Sequence, residues 1–274
     1  MDFLVYDDYM KGNPTISVIM GIYNCAPYLQ EALDSLYSQT YKDFEIILCD
    51  DGSKDDTYKI AKENQKRHPE IVLLKNPRNM GLNQTLNNCL AVAKGEFIAR
   101  MDGDDISLPH RFQEELEFLE SHPEYDIVSG PMIYFDENGE FRRGKGGGVV
   151  TNNDFIKGTP FCHAPCMVRK AAYDEVGGYT VDTRLLRVED YHLWFKMYAT
   201  GFKGWNLSEP IYAMRDDRKA VARRNFRNKL NQAYVKYIGF KMLGLPVWTY
   251  IYCLKPILVG LLPRPIYRFL HRKF

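Results

Sequence analysis

Acidic residues are missing from one whole end of the chain. From Arg218 to Phe274 there are thirteen Lys/Arg and no Asp or Glu, although the 274 residues together carry a net charge of only +1. Residues 1–217 therefore hold 23 basic and 35 acidic side chains. An acidic body with a basic tail implies a tail that meets something anionic: a membrane surface, a nucleic acid or the acidic body itself. A paired cysteine framework is also missing. Of Cys25, Cys49, Cys89, Cys162, Cys166 and Cys253, only Cys162 and Cys166 stand close together, and no second Cys/His pair accompanies them. That argues against a zinc site, and the cysteines read as reduced core residues of a cytosolic protein. The opening Met1-Asp-Phe-Leu-Val-Tyr-Asp-Asp8 has no basic stretch leading into an apolar core, so no secretory signal peptide is expected. Gly144-Lys-Gly-Gly-Gly148 lacks the Gly-Lys-Ser/Thr ending of a Walker loop and reads as a mobile loop over a site. No run of about 20 apolar residues is unbroken: Leu243–Leu262 is interrupted by Pro246, Lys255 and Pro256.

What the chain does have is an alternation of strands and helices over its first hundred residues. Thr15–Ile22 is an apolar run rich in β-branched residues, suited to a strand buried on both faces, and Phe44–Cys49, Ile71–Leu74 and Glu96–Met101 read as three further strands. Between them lie helical stretches: Pro27 to about Ser38, a second capped by Ser53 or Asp55 and running to about Arg67, and Leu82 to Ala93. This order predicts right-handed βαβ units and a parallel sheet, with ligands beyond the carboxyl ends of the strands. The polar residues occupy those ends: Tyr23-Asn24, Asp50-Asp51-Gly52-Ser53 and Asp102-Gly103-Asp104-Asp105.

The last of these turns carries three carboxylates in four residues. Such a cluster is costly unless water or a cation neutralises it. Hard cations such as Mg²⁺ or Mn²⁺ bridge one or two carboxylates to phosphates. A solvated, helix-capping turn is the alternative, since Asp favours turns and N-caps.

The second part is less regular. A helix over Pro109–Ser121, a strand over Asp126–Phe135 and a turn at Asp136–Gly139 are expected. Lys170–Val176 reads as a short helix closed by Gly177-Gly178. Val188-Glu189-Asp190 precedes a helix over Tyr191–Ala199, so Asp190 is either a helix N-cap or a carboxylate with a chemical role. A last strand is expected over Ile211–Met214 and a basic helix from Arg218 to about Met242. Beyond it, Trp248, Tyr250, Tyr252 and Tyr267 mix with Leu/Ile and with Arg264, Arg268, Arg272 and Lys273. That mixture suits a segment lying in a membrane interface; a helical hairpin packed on the body is the other reading.

The ordered set of motifs resembles family 2 glycosyltransferases. It comprises Ile16–Asn24, Leu36-Tyr-Ser-Gln-Thr-Tyr41, Phe44–Ser53, Asn79-Met-Gly-Leu82, Ala93–Ile98, Met101–Asp105, Gly177-Gly-Tyr179 and Val188–Trp194. It covers about residues 14–217. The resemblance implies an α/β GT-A fold with a mostly parallel central sheet. Residues 1–217 would form the catalytic domain, with a Rossmann-like nucleotide-sugar half at about 14–105 and an acceptor half at 106–217. Residues 218–274 would be a helical, basic and aromatic segment for membrane association.

The same resemblance implies the site. Gly21, Tyr23 and Asn24 would line the nucleotide pocket, with Tyr23 against the base. Asp51 would accept a hydrogen bond from uracil, unless it is a turn cap, a role more natural for Asp50. Asp102 and Asp104 would be the Asp-X-Asp pair on ribose and on Mn²⁺ or Mg²⁺, and Asp105 would cap the following helix. Asp190 would be the general base, with Glu189 beside it. Members often place a His or Arg after the last strand to reach the diphosphate. Here Tyr212–Arg218 has no histidine, and Arg215 and Arg218 stand in that place. His163 reads as a satisfied structural histidine, with an acceptor or metal contact as the alternative.

The implied activity is metal-dependent, inverting transfer from a UDP-sugar to a lipid-linked glycan or polysaccharide. The protein would be cytoplasmic and peripheral at the inner face of the cell membrane. Two rivals are a nucleotide-sugar-binding protein without turnover and a nucleotidyltransferase. The latter would show a Gly-rich basic loop after the first strand, which Gly21–Pro27 is not. No recognised nucleic-acid module accompanies the tail, so no nucleic-acid partner is expected.

Overall fold

Strand β1 (Ile16–Ile22) is buried along almost all its length and pairs in parallel on both sides, as its β-branched apolar run requires. The computed structural model describes residues 12–216 and 226–261. Helix α1 (Leu29–Tyr37), β2 (Phe44–Asp50), α2 (Thr57–Arg67), β3 (Ile71–Lys75), α3 (Leu82–Leu90) and β4 (Phe97–Arg100) follow. The parallel strands stand in the order β3-β2-β1-β4, so their carboxyl ends share one edge. The second part runs through β5 (Ile106–Ser107), α4 (Arg111–Ser121), β6 (Ile127–Ser129), β7 (Met132–Asp136), β8 (Gly139–Arg143), β9 (Gly148–Val149) and α5 (Asp154–Lys157). It continues with β10 (Met167–Arg169), α6 (Lys170–Val176), α7 (Glu189–Ala199), β11 (Gly204–Asn206) and β12 (Tyr212–Arg215).

The expected halves share one sheet. β4 pairs antiparallel with β10, and the eight strands run β3-β2-β1-β4-β10-β6-β11-β9. A second, four-stranded sheet, β5-β12-β7-β8, starts just past the carboxylate turn and forms a side wall. The strand expected over Asp126–Phe135 is therefore two strands in two sheets. It breaks at Gly130-Pro131: a proline cannot donate to a ladder, and a side chain on Gly130 would lie 2.9 Å from Ile211. The glycine stop after α6 is as expected, with Gly177 at φ +69°.

The tail is a packed element over the residues described. In α8 (Phe226–Met242), Val235 and Phe240 are fully buried in the core that also holds Trp194 and Phe195. Lys236 Nζ donates to the Ile156 carbonyl at 2.9 Å, and Asn231 Nδ2 to the Leu186 carbonyl at 3.0 Å. The basic helix expected to run to about Met242 is thus packed on the body over its described residues. Within residues 243–261 the chain forms a 3₁₀ helix, Val247–Cys253, and α9 (Leu254–Leu261). No helix of the described residues is long and apolar enough to cross a membrane. Arg218, Arg264, Tyr267, Arg268, Arg272 and Lys273 lie outside the described residues.

The seat of α8 is tight. A Cβ on Gly239 would fall 2.2 Å from the ring of Phe195. Gly239→Ala is expected to cost about 1–3 kcal/mol by overpacking, read by urea denaturation. A loss below about 0.5 kcal/mol would show that α8 does not bear on α7 in solution.

Candidate active site

The crevice opens where β1, β2 and β4 end. Asn24 has a left-handed backbone (φ 50°), which asparagine tolerates better than most residues. Its N–H donates to Ser53 Oγ at 3.1 Å, and its Oδ1 accepts from Lys54 N at 2.8 Å. The loop after β1 is thereby stitched to the loop after β2, and Tyr23 is left 45% exposed on the rim. Gly21 is small for packing: a Cβ there would lie 3.1 Å from Leu82 and 3.2 Å from Thr85, on α3. Asp50 accepts from Ser53 N as a turn cap. The Asp51 carboxylate is buried and holds the loop before α3. Its Oδ1 accepts from Asn76 Nδ2 (2.8 Å) and Met80 N (2.7 Å), and its Oδ2 from Gly81 N (2.9 Å). A carboxylate offers about four acceptor positions, so one remains for a ligand.

The carboxylate turn is built around Arg100, which is only 4% exposed. Its two terminal nitrogens bind both oxygens of Asp102, one at 2.7 Å, and its Nε has no partner. Gly103 sits against the end of β1, where a side chain would meet Cys25 Sγ at 2.8 Å. Asp105 does not cap a helix. Helix α4 begins only at Arg111, and the Asp105 carboxylate instead accepts from Arg215 N at 2.8 Å, fastening β12 to the turn. Burial, then the charges of Asp102 and Asp104, push Asp105 well above the usual carboxylate range. Asp104 faces solvent at the rim and has no hydrogen-bonding or ion-pairing side chain among the described residues. Partial enclosure of its carboxyl, and next the neighbouring Asp102, raise it too. Arg215 adjoins the turn: its Nε donates to the Asp104 carbonyl at 3.0 Å and its terminal nitrogen pairs with Glu31. Its guanidinium lies between the rings of Tyr28 and Phe135, 4.5 Å from each. Arg218, the other expected diphosphate donor, falls outside the described residues.

Asp190, from a distant part of the chain, feels the charge of the same buried Arg100. Val188 holds the N-cap position of α7 without a capping side chain, so Asp190 is inside the first turn and is no N-cap. Burial, then Glu189, push its carboxyl up to about 6, and Arg100 draws it back. Arg100 also lowers Asp104. One buried guanidinium thus acts on the carboxylate turn and on Asp190 together. His163 fits the structural reading: its Nε2 bonds Tyr179 Oη at 2.7 Å, and burial, then Arg100, hold it neutral, well below its ordinary value.

Residues 17–177 match the model described as glycosyl transferase family 2, more than half the chain. The chain belongs to glycosyl transferase family 2. It is 41% identical over 265 residues to EpsE of Bacillus subtilis (strain 168), covering 96% of this chain and 95% of that protein. It is 29% identical over 229 residues to an Escherichia coli protein, WfaP, covering 82% of this chain and 87% of the other. WfaP is named as a UDP-Glc:alpha-D-GlcNAc-diphosphoundecaprenol beta-1,3-glucosyltransferase. Among solved structures, S. aureus TarS 1–349 in complex with UDP-GlcNAc matches at a TM-score of 0.69 and 20% identity, over 90% of this chain and 71% of that one. This family 2 glycosyltransferase is an enzyme with the GT-A fold.

Sequence reasoning about the glycosyltransferase missed two residues of the site. Arg100 read as the end of a strand, although a basic residue beside three carboxylates was a signal. Tyr212 read as part of the last strand; it is fully buried, and its hydroxyl accepts from Asp102 N at 3.1 Å. Among the described residues no group of three or more His, Cys, Asp or Glu is placed to hold a metal. Asp104, exposed and with no hydrogen-bonding or ion-pairing side chain among the described residues, keeps its carboxylate oxygens open, the donor chemistry that a hard divalent cation takes.

Proposed function

We propose that this family 2 glycosyltransferase moves a sugar from a UDP-sugar to a lipid-linked glycan or polysaccharide by single displacement with inversion. What supports the reading is that the buried Arg100 binds Asp102 and that its charge bears on both Asp104 and Asp190. Asp190, on the acceptor side, accepts the proton of the attacking hydroxyl; a single positioned base without a second nucleophile corresponds to inversion. Asp104, with Asp102, holds Mn²⁺ or Mg²⁺, which when bound offsets the charge that builds on the leaving diphosphate. Tyr23, Asn24 and the remaining acceptor position of Asp51 receive the nucleoside, uracil through its imide N–H. Arg215 steadies the diphosphate side of the turn, and Glu189 keeps Asp190 poised by raising its carboxyl. The activity for which WfaP is named, with a UDP-sugar and a lipid-diphosphate acceptor, supports the choice of substrates. Residues about 14–105 serve the donor and 106–217 the acceptor.

The enzyme works as a peripheral protein at the cytoplasmic face of a membrane. Support comes from the outer side of the tail. Val247, Trp248, Ile251, Leu254, Leu258 and Leu261 are exposed, Trp248 by 65%, with Lys241 and Lys255 also exposed. Aromatic and aliphatic side chains beside lysines suit an anionic lipid interface.

The test is UDP release from a panel of UDP-sugars with and without Mn²⁺. Turnover is expected only with the metal. Asp104→Ala is expected to lower kcat/KM by at least about 100-fold, the scale of several kcal/mol of transition-state stabilisation. Metal-independent turnover, or an Asp104→Ala protein that keeps wild-type rates, would refute the assignment of the turn.

A further inference from the structure

The outermost strand of the side wall, β8, is exposed at every residue. Exposed edge strands are commonly blunted with charge, but the two arginines here are not equivalent. Arg143 pairs with Glu140 at 3.0 Å. Arg142 has no carboxylate partner among the described residues. In the β7–β8 register Tyr134 stands opposite Arg142, so the two side chains share a face, and the guanidinium lies 3.6 Å over the tyrosine ring. Met214 stands opposite Tyr134 on the neighbouring strand, so Tyr212, two residues before it, shares that face, and the Tyr212 hydroxyl meets Asp102 N at 3.1 Å. The Tyr134 hydroxyl is pushed up by burial and then by the Cys162 thiol, on the segment that leads to His163.

The side wall gives the distance. β12 carries Arg215 against Asp104, β7 lies next to it with Phe135 opposite Arg215, and β8 is the next strand. At roughly 4.8 Å per strand, Arg142 stands on the order of 10 Å from β12. The Cys162 thiol is raised to about 11 by burial and then by Asp190 and is drawn down by Arg142, so both charges bear on that thiol. Immediately after β8, Gly144 N–H donates to the Met132 carbonyl at 2.8 Å, and Lys145 follows, exposed.

We propose that Arg142, with Lys145 beside it, binds the diphosphate of a lipid-diphosphate acceptor on the Tyr134 face of the β7–β8 hairpin. The proposal rests on the acceptor reading above and names the part of the protein that recognises that acceptor. A sugar with one hydroxyl at Asp190 carries its anomeric diphosphate at the other end of the ring, on the side wall. A guanidinium flattened on an aromatic ring keeps a planar fork of N–H donors, which matches phosphate oxygens.

A donor diphosphate would offer the same chemistry, so the test separates the two. Two acceptors ending in the same sugar are compared, one on a lipid diphosphate and one on a neutral alkyl chain, each at saturating UDP-sugar. Arg142→Gln is expected to raise KM for the diphosphate acceptor at least tenfold and to leave KM for the neutral acceptor and for the donor within twofold. Arg142→Lys is expected to recover part of the loss. A rise in donor KM instead would place Arg142 on the donor and overturn the proposal. A wild-type preference for the diphosphate acceptor that survives in Arg142→Gln would overturn it too, with the acceptor reading intact. No wild-type preference would remove both. A second measurement needs no turnover. Geranyl diphosphate, titrated into full-length protein saturated with UDP and Mn²⁺, is expected to bind, and Arg142→Gln to weaken binding tenfold. Absence of binding to the wild type, or equal binding by both proteins, would overturn the proposal.

Discussion

Asp190→Asn is expected to lose about 10²–10⁴-fold in kcat, the range of a positioned general base, while the folded protein becomes more stable at neutral pH. Both effects come from one environment. Burial lifts the Asp190 carboxyl from 3.8 to about 6. A carboxyl raised on folding binds its proton more tightly in the folded state. The folded state therefore loses stability as pH rises from about 4 through about 6, and carries the full penalty above that. A neutral amide removes the penalty, on the order of 1–2 kcal/mol at pH 7. The base must be ionised to accept a proton, so wild-type turnover is expected to fall as pH drops through about 6. The residual rate of Asp190→Asn should lack that limb. UDP release across pH and urea denaturation at pH 7 measure the two sides. A variant that keeps more than about a tenth of wild-type kcat would move the base elsewhere.

Arg111→Ala is expected to destabilise the protein by about 3–5 kcal/mol, the cost of leaving one member of a buried ion pair alone. Arg111 and Glu115 are both fully buried, with Nε 2.9 Å from the carboxylate. Burial pushes Glu115 up to about 7, and Arg111 is what holds it down. The second arm of Arg111 reaches the carbonyls of Arg100 (2.9 Å), Cys166 (3.2 Å) and Ala164 (3.3 Å). The pair therefore clamps the end of β4 to the segment that carries His163. Replacing both members together, Arg111→Met with Glu115→Leu, is expected to recover most of the stability, since no charge is then stranded. Donor KM should stay raised in that double variant, because the Arg100 carbonyl loses its anchor. Urea midpoints decide; a loss below about 1 kcal/mol for Arg111→Ala would mean that water reaches the pair.

Local pattern carried the first half of the fold. Ile16–Ile22, Phe44–Asp50 and Ile71–Lys75 announce themselves by β-branched apolar runs, and the polar residues that end the strands mark the crevice. The side wall was hidden, because its strands are short and its order depends on pairings far apart in the chain. Nothing in Asp126–Phe135 alone says that its halves enter different sheets; Gly130-Pro131 was the available sign. Long-range partners were equally invisible. Asp105 looked like a cap because a helix follows it, but its partner is Arg215, 110 residues on. Asp51 has three donors from the loop 76–81, which no spacing predicts. Arg111 and Glu115 stand four apart on α4, a spacing common on exposed helix faces, and only the packing around α4 buries them. The ordered motifs singled out Asp190, while its distance from the turn in sequence left its role open.

The pairing of β4 with β10 bears on how such enzymes can be recombined. Met167, Val168 and Arg169 sit opposite Ala99, Ile98 and Phe97 in one ladder. A chimera that took residues up to 105 from this chain and the remainder from a relative would splice the molecule through the middle of a hydrogen-bonded sheet. Acceptor preference is more safely exchanged at the margin, by grafting the hairpin of β7 and β8, whose outer edge pairs with no described strand. The margin is thus the part of the molecule on which substrate range can change without rebuilding the seam.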